Sequence, residues 1–272
     1  MTAAPPSVGN AAQREAWNTV MAPRWLKHEA LLETSLGPVA ELLLAEAAPM
    51  PGERVLELGC GAGTLLARWL AAVGAGGGVT GADISATMLA AARARAPEGV
   101  RLLEADAATD DLGGPYDLIV SRFGVMFFAA PVAAFARLRA ALAPGGRLCF
   151  AAWGPLADNP QWARPLAIVE RYVGRGNLDP DAPGPLALAE PGKIRRLLTE
   201  AGFAEIGLRT TRFAFVTETA QAAAQLAVAM GPAGARLREA EADRAVIAAV
   251  RAEIAEGYAP AEGTIHLVTA RG

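Results

Sequence analysis

The stretch RVLELGCGAG, residues 54–63, decides how this chain folds. Its apolar first half predicts a short β-strand over 54–58, and the apolar spacing of residues 64–73 predicts a helix. Three alternating glycines between the two allow the backbone to turn sharply and to approach a bound molecule closely. Such glycines alone also fit a tight turn that binds nothing, so their neighbours must show whether a ligand is bound there.

The alternation of strand and helix continues on the C-terminal side of this turn. Further strands are predicted over 79–82, 100–104, 116–121, 147–152, 206–216 and 264–270, and helices over 86–96, 132–142, 163–172, 192–201, 219–230 and 236–256. Five strands joined by helices or loops predict an α/β, doubly wound parallel sheet. The last two strands can pair antiparallel.

The N-terminal region is expected to stand apart from the sheet. Residues 1–16 read as a loose arm, and the helical pattern of 17–48 is expected to break into two helices at Gly37-Pro38, because proline interrupts a helix. We therefore expect an N-terminal arm and helical lid over 1–48. The main domain is expected over 49–272, with a Pro- and Gly-rich insertion at about 155–191, after the fifth strand.

Composition limits the class of protein. The 272 residues are 53% hydrophobic and 19% charged, which favours a folded globular protein. A net charge of −3 predicts no nucleic-acid partner, because phosphate binding favours a basic protein.

Two cysteines, Cys60 and Cys149, are too few for a disulfide framework and predict a reducing compartment, the cytoplasm. No signal-peptide or bilayer-spanning pattern is found, so no stable membrane insertion is expected.

Carboxylates follow three successive predicted strands, which places them at the ligand-binding edge of such a sheet. Glu57 precedes the glycine turn and would repel a dinucleotide pyrophosphate but attract a cationic ligand. Asp83 can accept both hydroxyls of a ribose, although aspartate is also common at a helix start. Asp106 can accept from an adenine amine, although an Asx-turn explains it equally well.

Several segments in this order and spacing resemble the class I S-adenosylmethionine-dependent methyltransferases, and most of all the small-molecule branch that includes the ubiquinone/menaquinone-biosynthesis enzymes. The segments that carry the resemblance are VLELGCGAGTL, GADIS, LEADA, YDLIVSRFGVMFF and LRAALAPGGRLCFAAW. The resemblance is strong over about 50–155 and loose over 192–270. It implies a Rossmann-like, seven-stranded mixed sheet with an antiparallel last strand, and methyl transfer from S-adenosylmethionine that yields S-adenosylhomocysteine.

The resemblance also implies which residues bind the cofactor. The glycine turn would hold the methionine part, Asp83 the ribose, and Asp106 with Ala107 the adenine, while Ser121 to Phe123 would lie beside the methyl group. The expected cofactor-binding residues are Glu57, Gly59, Cys60, Gly61, Asp83, Ile84, Met88, Asp106, Ala107 and Ser121. Ser121-Arg122-Phe123-Gly124 stands where amino-methylating nucleic-acid enzymes carry Asn/Asp-Pro-Pro-Tyr, which argues against DNA bases as substrates.

The expected acceptor side is rich in aromatic residues. Trp25, Phe123, Phe127 and Trp153 are candidate substrate-binding residues, which predicts a small apolar or aromatic acceptor methylated at O, N or C. His28 and His266 are the candidate bases, with His28 the tentative choice. A solvated helix face explains His28 better than catalysis, and His266 is expected to be a structural or surface residue. No spacing of metal ligands is recognised, so no metal is expected.

Two other functions are weighed against methyl transfer. The first is a protein that binds S-adenosylmethionine without turnover, because no base is evident. The second is an NAD-dependent oxidoreductase, which the glycine spacing and Glu57 both disfavour. The oligomeric state is left open, a homodimer included.

Overall fold

A single seven-stranded sheet organises the part of the chain that the structure, a computed structural model, describes, residues 9–272. Its strands are β1 (Arg54–Leu58), β2 (Gly78–Asp83), β3 (Val100–Glu104), β4 (Tyr116–Arg122), β5 (Leu142–Trp153), β6 (Ala204–Phe215) and β7 (Ala261–Arg271). The strand order is β3-β2-β1-β4-β5-β7-β6, and β7 runs antiparallel to both β5 and β6. The predicted doubly wound mixed sheet with an antiparallel last strand is confirmed.

Helices cover both faces of this sheet. The α-helices of the described residues, including those that lie away from the sheet, are α1 (Ala11–Ala16), α2 (Ala22–Lys27), α3 (Glu29–Ala47), α4 (Leu66–Val73), α5 (Ala86–Arg93), α6 (Pro131–Ala140), α7 (Pro160–Val173), α8 (Pro191–Glu200), α9 (Ala220–Ala229), α10 (Gly231–Glu239) and α11 (Arg244–Glu256). Leu118, Ile119 and Val120 of β4 are fully buried, as expected for a strand covered on both faces. No helix within residues 9–272 has the length and apolar composition needed to cross a bilayer.

The expected break at Gly37-Pro38 is wrong, because α3 runs without interruption from Glu29 to Ala47. Pro38 has no N–H to donate to the carbonyl of Thr34, so the helix loses one internal hydrogen bond there. Val39 and Leu43 are fully buried, and α3 packs on β4, β5, β6 and β7. This apolar contact with the sheet keeps the helix continuous across the proline.

The N-terminal segment is more regular than the sequence indicates. Residues 1–8 of the expected loose arm lie outside the described residues, but Ala11–Ala16 forms α1. A π-helical turn, Trp17–Met21, joins α1 to α2. Helix α2 packs on α3 and α5, so this N-terminal stretch covers the end of β2 from which α5 begins.

Of the remaining differences from the predicted boundaries, the two largest concern β5 and the helix expected over 236–256. The strand expected to begin at Arg147 begins at Leu142, so the helix before it ends earlier, at Ala140. The single helix expected over 236–256 is divided into α10 and α11. Asp243 causes this division, since its side chain accepts from the amide of Val246 at 2.8 Å and starts a new helix.

A helical cap, formed by α7, α9, α10 and α11, has its own hydrophobic cluster. Leu166, Val169, Ala224, Leu237 and Val250 belong to it. The insertion expected at about 155–191 supplies only α7. The other three helices connect β6 to β7, so most of the cap comes from a segment that the sequence reasoning did not assign to it.

The proline inside α3 gives a stability prediction. Pro38→Ala restores a backbone donor for Thr34 and should raise the free energy of unfolding by about 1–2 kcal/mol, measured by urea denaturation. The matched control is Pro131→Ala, because Pro131 is the first residue of α6, where the missing N–H costs nothing. A Pro38→Ala protein no more stable than the Pro131→Ala protein would contradict this explanation.

Candidate functional site

The glycine turn that follows β1 has a shape that favours glycine. Gly59 and Gly61 have φ angles of +66° and +58°. A Cβ on Gly59 would lie 2.9 Å from the Cα of Gly124, in the loop after β4. The turns that end two neighbouring strands therefore touch through their backbones, and together they form the floor of a cavity.

The carboxylate of Asp83 holds this turn in place. Its Oδ2 accepts from the amide of Gly61 and its Oδ1 from the amide of Ser85, both at 2.8 Å. Burial raises the pKa of Asp83, and the amides of Ser85 and Gly61 oppose that shift. Asp83 also lines the cavity. Each carboxylate oxygen has a second lone pair, so the group can still accept from the hydroxyls of a ligand.

Glu57 is a buried acid with an unsatisfied oxygen. Its Oε2 has no hydrogen-bond partner among the described residues, although Glu57 lines the cavity. Burial raises its pKa to about 8, against the opposing charge of Arg122 and the nearby indole of Trp69. Because an ionised carboxylate without a partner is costly to bury, the position favours a cationic ligand.

Arg122 and Glu33 form an ion pair at the cavity wall that the sequence reasoning missed. The Arg122 guanidinium donates to Glu33 at 2.7 and 3.0 Å and to Thr64 Oγ1 at 3.2 Å. Because Arg122 is paired with Glu33, its positive charge offsets only part of the burial that raises the pKa of Glu57. A signal was available, since an arginine at the end of a strand as apolar as YDLIVSR needs a partner.

Asp106 is bound by the N-terminal segment. Its two oxygens accept from the backbone amide and the side-chain amide of Asn10, both at 2.7 Å. Oδ1 also accepts from the amide of Ala108 at 2.9 Å, which is the Asx-turn considered above. Asp106 and Ala107 both line the cavity, and the adenine contact stays a prediction.

Ser121 and His28 lie away from the cavity wall. The Ser121 hydroxyl donates to the carbonyl of Leu58 at 2.8 Å and accepts from the amide of Gly124 at 3.1 Å, so it ties the ends of β1 and β4 together. His28 is buried where α2 meets α3, so the solvated helix face expected for it is wrong. Burial, followed by the charges of Lys27 and Arg24, lowers its pKa.

His266 is structural, as expected. Its Nδ1 lies 2.8 Å from Thr210 Oγ1, and its Nε2 lies 2.8 Å from the carbonyl oxygen of Ala189. Both ring nitrogens are therefore occupied, and the ring is buried between β6 and the segment before α8. Neither histidine contributes to the cavity wall.

The cavity has a volume of about 540 Å³, within the range of small-molecule sites. All four expected substrate residues, Trp25, Phe123, Phe127 and Trp153, line it. Phe123 and Trp153 stack with ring centroids 4.6 Å apart and planes 4° apart. Phe123 has a φ of +72°, a strained conformation for a bulky residue that fixes its ring beside the glycine turn.

The remaining expected cofactor residues also reach the cavity. Gly59, Cys60, Gly61, Ile84 and Met88 line it. Sequence reasoning missed Asn10, Glu33 and Arg238 among the lining residues. Within residues 9–272, no three His, Cys, Asp or Glu side chains are grouped so that they could hold a metal ion.

A parallel sheet with a glycine turn after β1 and acids at three strand ends defines the cofactor-binding half of a class I methyltransferase fold. Residues 55–146 match the family described as a methyltransferase domain. This range includes the turn, Asp83, Asp106 and Phe123. The resemblance indicated by the sequence is thereby confirmed.

Curated relatives and solved structures agree with this class. Aklanonic acid methyltransferase from Streptomyces sp. (strain C5) is 36% identical over 118 residues, which are 42% of this chain and 54% of that protein. Nocamycin O-methyltransferase from Saccharothrix syringae is 31% identical over 192 residues, which are 62% of this chain and 65% of that protein. The chain thus spans between about half and two thirds of the length of these relatives.

Magnesium protoporphyrin IX methyltransferase from Synechocystis PCC 6803, solved with bound SAH, has a similar structure. Its TM-score is 0.56 at 18% identity, and the match covers 97% of this chain and 99% of that chain. At this identity the likeness shows the fold, and it includes the Rossmann-like sheet with its antiparallel last strand.

The contact between the two turns gives a prediction about stability. Gly59→Ala brings a Cβ within 2.9 Å of the Gly124 backbone, whereas Gly52→Ala, at a φ of +88°, meets no atom within 4 Å. Gly52→Ala should lower the free energy of unfolding by about 1–2 kcal/mol, the cost of a positive φ. Gly59→Ala should cost at least about 1 kcal/mol more, from overpacking, in urea denaturation. Equal losses of unfolding free energy in Gly59→Ala and Gly52→Ala would show that the turn after β1 and the loop after β4 can move apart at little cost.

Glu57 gives a prediction about pH. Its raised pKa means that the folded protein holds a proton on Glu57 between about pH 4.5 and about 8, where the unfolded chain has lost it. The contribution of Glu57 to the free energy of unfolding should therefore fall as pH rises through this range, by at most about 1.4 kcal/mol per pH unit. Glu57→Gln should remove this slope, and the exposed control Glu98→Gln should keep it. Equal slopes in the two variants would contradict the burial argument.

Proposed function

We propose that the protein transfers a methyl group from S-adenosylmethionine to a small apolar or aromatic acceptor and releases S-adenosylhomocysteine. The observation that carries the proposal is the unpaired, buried Oε2 of Glu57 beside the glycine turn. The methionine part of this cofactor has an ammonium group, and such a cation would satisfy Glu57 and lower its pKa. The names of the curated relatives support the same activity.

The residues around the turn fit the other parts of the cofactor. Asp83 would accept the ribose hydroxyls, and the backbone of Gly59 and Gly61 leaves room for the methionine chain. Ile84 and Met88 would provide an apolar wall between them, and the amide of Ala107 would donate to adenine. Asp106 would accept from the adenine amine only through a lone pair that its two hydrogen bonds from Asn10 leave accessible.

The chain's part in the reaction is to orient the acceptor and to exclude water. The cofactor, when bound, supplies a methyl group already activated by a sulfonium. The stacked rings of Phe123 and Trp153 offer a flat surface for a planar acceptor. Trp17 and Phe127 meet edge to face, with centroids 5.3 Å apart, and cover the cavity from the N-terminal side.

The site suits an acceptor whose methylation does not require a histidine to remove a proton. The structure places His28 at a helix junction and engages both nitrogens of His266. The methylated atom would therefore be one that is already nucleophilic at neutral pH. We further infer that the enzyme works in the cytoplasm, where the buried free thiols of Cys60 and Cys149 stay reduced.

The proposal predicts how strongly Glu57 contributes to cofactor binding. Titration calorimetry at neutral pH should detect S-adenosylmethionine binding to the native protein. Glu57→Gln should weaken it by about 10- to 100-fold, the scale of a lost hydrogen bond to a charged group. The exposed control Glu98→Gln should bind as the native protein does. Unchanged affinity in the Glu57→Gln protein would refute the assigned role.

A second measurement separates the alternatives. Formation of S-adenosylhomocysteine in the presence of small aromatic acceptors distinguishes an enzyme from a protein that only binds the cofactor. Tight binding of NAD without binding of S-adenosylmethionine would instead identify an oxidoreductase. Glu57 makes that outcome unfavourable, because it would face the pyrophosphate.

A further inference from the structure

Arg238 places a guanidinium at the cavity wall without an acidic partner. It lies in the last turn of α10, within the helical cap. Its hydrogen-bond partner is the carbonyl of Ala229, at 3.1 Å from Nη1, and no carboxylate in residues 9–272 forms an ion pair with it. Arg122, which lines the same cavity, differs from Arg238 because it forms an ion pair with Glu33.

The surroundings of Arg238 make this charge costly. The side chain is half-buried, and burial together with the charge of Arg24 lowers its pKa. Arg24 of α2 adds to the positive charge near Arg238, and Arg164 of α7 also lines the cavity. Asp179, an acid that also lines the cavity, is exposed, and its Oδ1 accepts from the amide of Asp181.

Large apolar side chains of the cap and of β6 also line the cavity. Trp162, Phe215, Leu226 and Met230 line it. A partly desolvated cation in an apolar wall is stabilised by an anion that can reach it, and arginine binds oxyanions in a planar, forked geometry. Because the chain does not supply that anion among its described residues, a ligand is the source that fits.

We propose that Arg238 binds an acidic group of the methyl acceptor. The acceptor is then an aromatic or apolar molecule with a carboxylate or another oxyanion at one end. That oxyanion lies at α10, and the body of the molecule extends along the aromatic wall towards Phe123. Arg24 and Arg164 add positive potential that draws such a molecule into the cavity. The inference rests on the proposed function, since it names the class of substrate for the same site.

Two fluorescent probes with the same aromatic body test the role of Arg238. One is 8-anilinonaphthalene-1-sulfonate, which carries an oxyanion, and the other is neutral N-phenyl-1-naphthylamine. Each is titrated into the full chain in the presence of S-adenosylhomocysteine. Arg238→Gln should weaken binding of the sulfonate at least about tenfold and change binding of the neutral probe by less than about twofold.

Matched variants keep the test decisive. Arg244→Gln removes an exposed arginine of α11 and should leave both probes unaffected. Arg238→Lys keeps the charge and should retain most of the sulfonate affinity. This variant also provides a measurement at position 238 if Arg238→Gln fails to fold. Equal loss of both probes, or sulfonate binding that is independent of residue 238, would overturn the proposal.

Failure of this inference is distinguishable from failure of the proposed function. S-adenosylmethionine binding and S-adenosylhomocysteine formation are measured on the same Arg238→Gln protein. If the native enzyme methylates neutral acceptors and Arg238→Gln leaves the sulfonate unaffected, only the acidic-acceptor inference fails. If Arg238 selects the sulfonate but the chain does not bind S-adenosylmethionine, the methyltransferase proposal fails and Arg238 is an oxyanion-binding residue for a ligand other than a methyl acceptor.

Discussion

The carboxylate of Asp83 joins two backbone turns, and the geometry of the ligand edge depends on this link. By accepting from Gly61 and Ser85 it holds the turn after β1 against the first turn of α5. Ser121 makes a similar link between the ends of β1 and β4. These buried polar contacts fix the strand ends relative to one another, so the cavity is formed before any ligand arrives.

Local sequence patterns predicted the central strands well because β1 and β4 are short, apolar and largely buried. The bounds of β1 were predicted without error for this reason, and those of the half-exposed edge strand β3 were predicted from its bounding turn residues. The continuous α3 was not predicted, because its stability comes from contact of Val39 and Leu43 with the sheet, which no local pattern around Pro38 shows. The cap was missed for a related reason, since its cluster joins α7 to helices far along the chain.

The candidate site was predictable only in part. Strand topology brings Glu57, Asp83 and Asp106 to one edge, so their placement followed from the order of the elements. Their partners did not follow, because they come from distant segments. Asn10 reaches Asp106 across 96 positions of sequence, and Arg238 carries no motif at all. Ser121 shows a different limit, because its side chain turned towards Leu58 instead of the cavity.

The attachment of the cap has a consequence for how acceptor preference can vary. Three of its helices occupy the connection between β6 and β7, two strands that are paired with each other over most of their length. Such a connection can change in length or composition while the strand register is retained. The cap also has its own apolar cluster, so the cap residues that face the acceptor can change without repacking the part of the chain around the glycine turn.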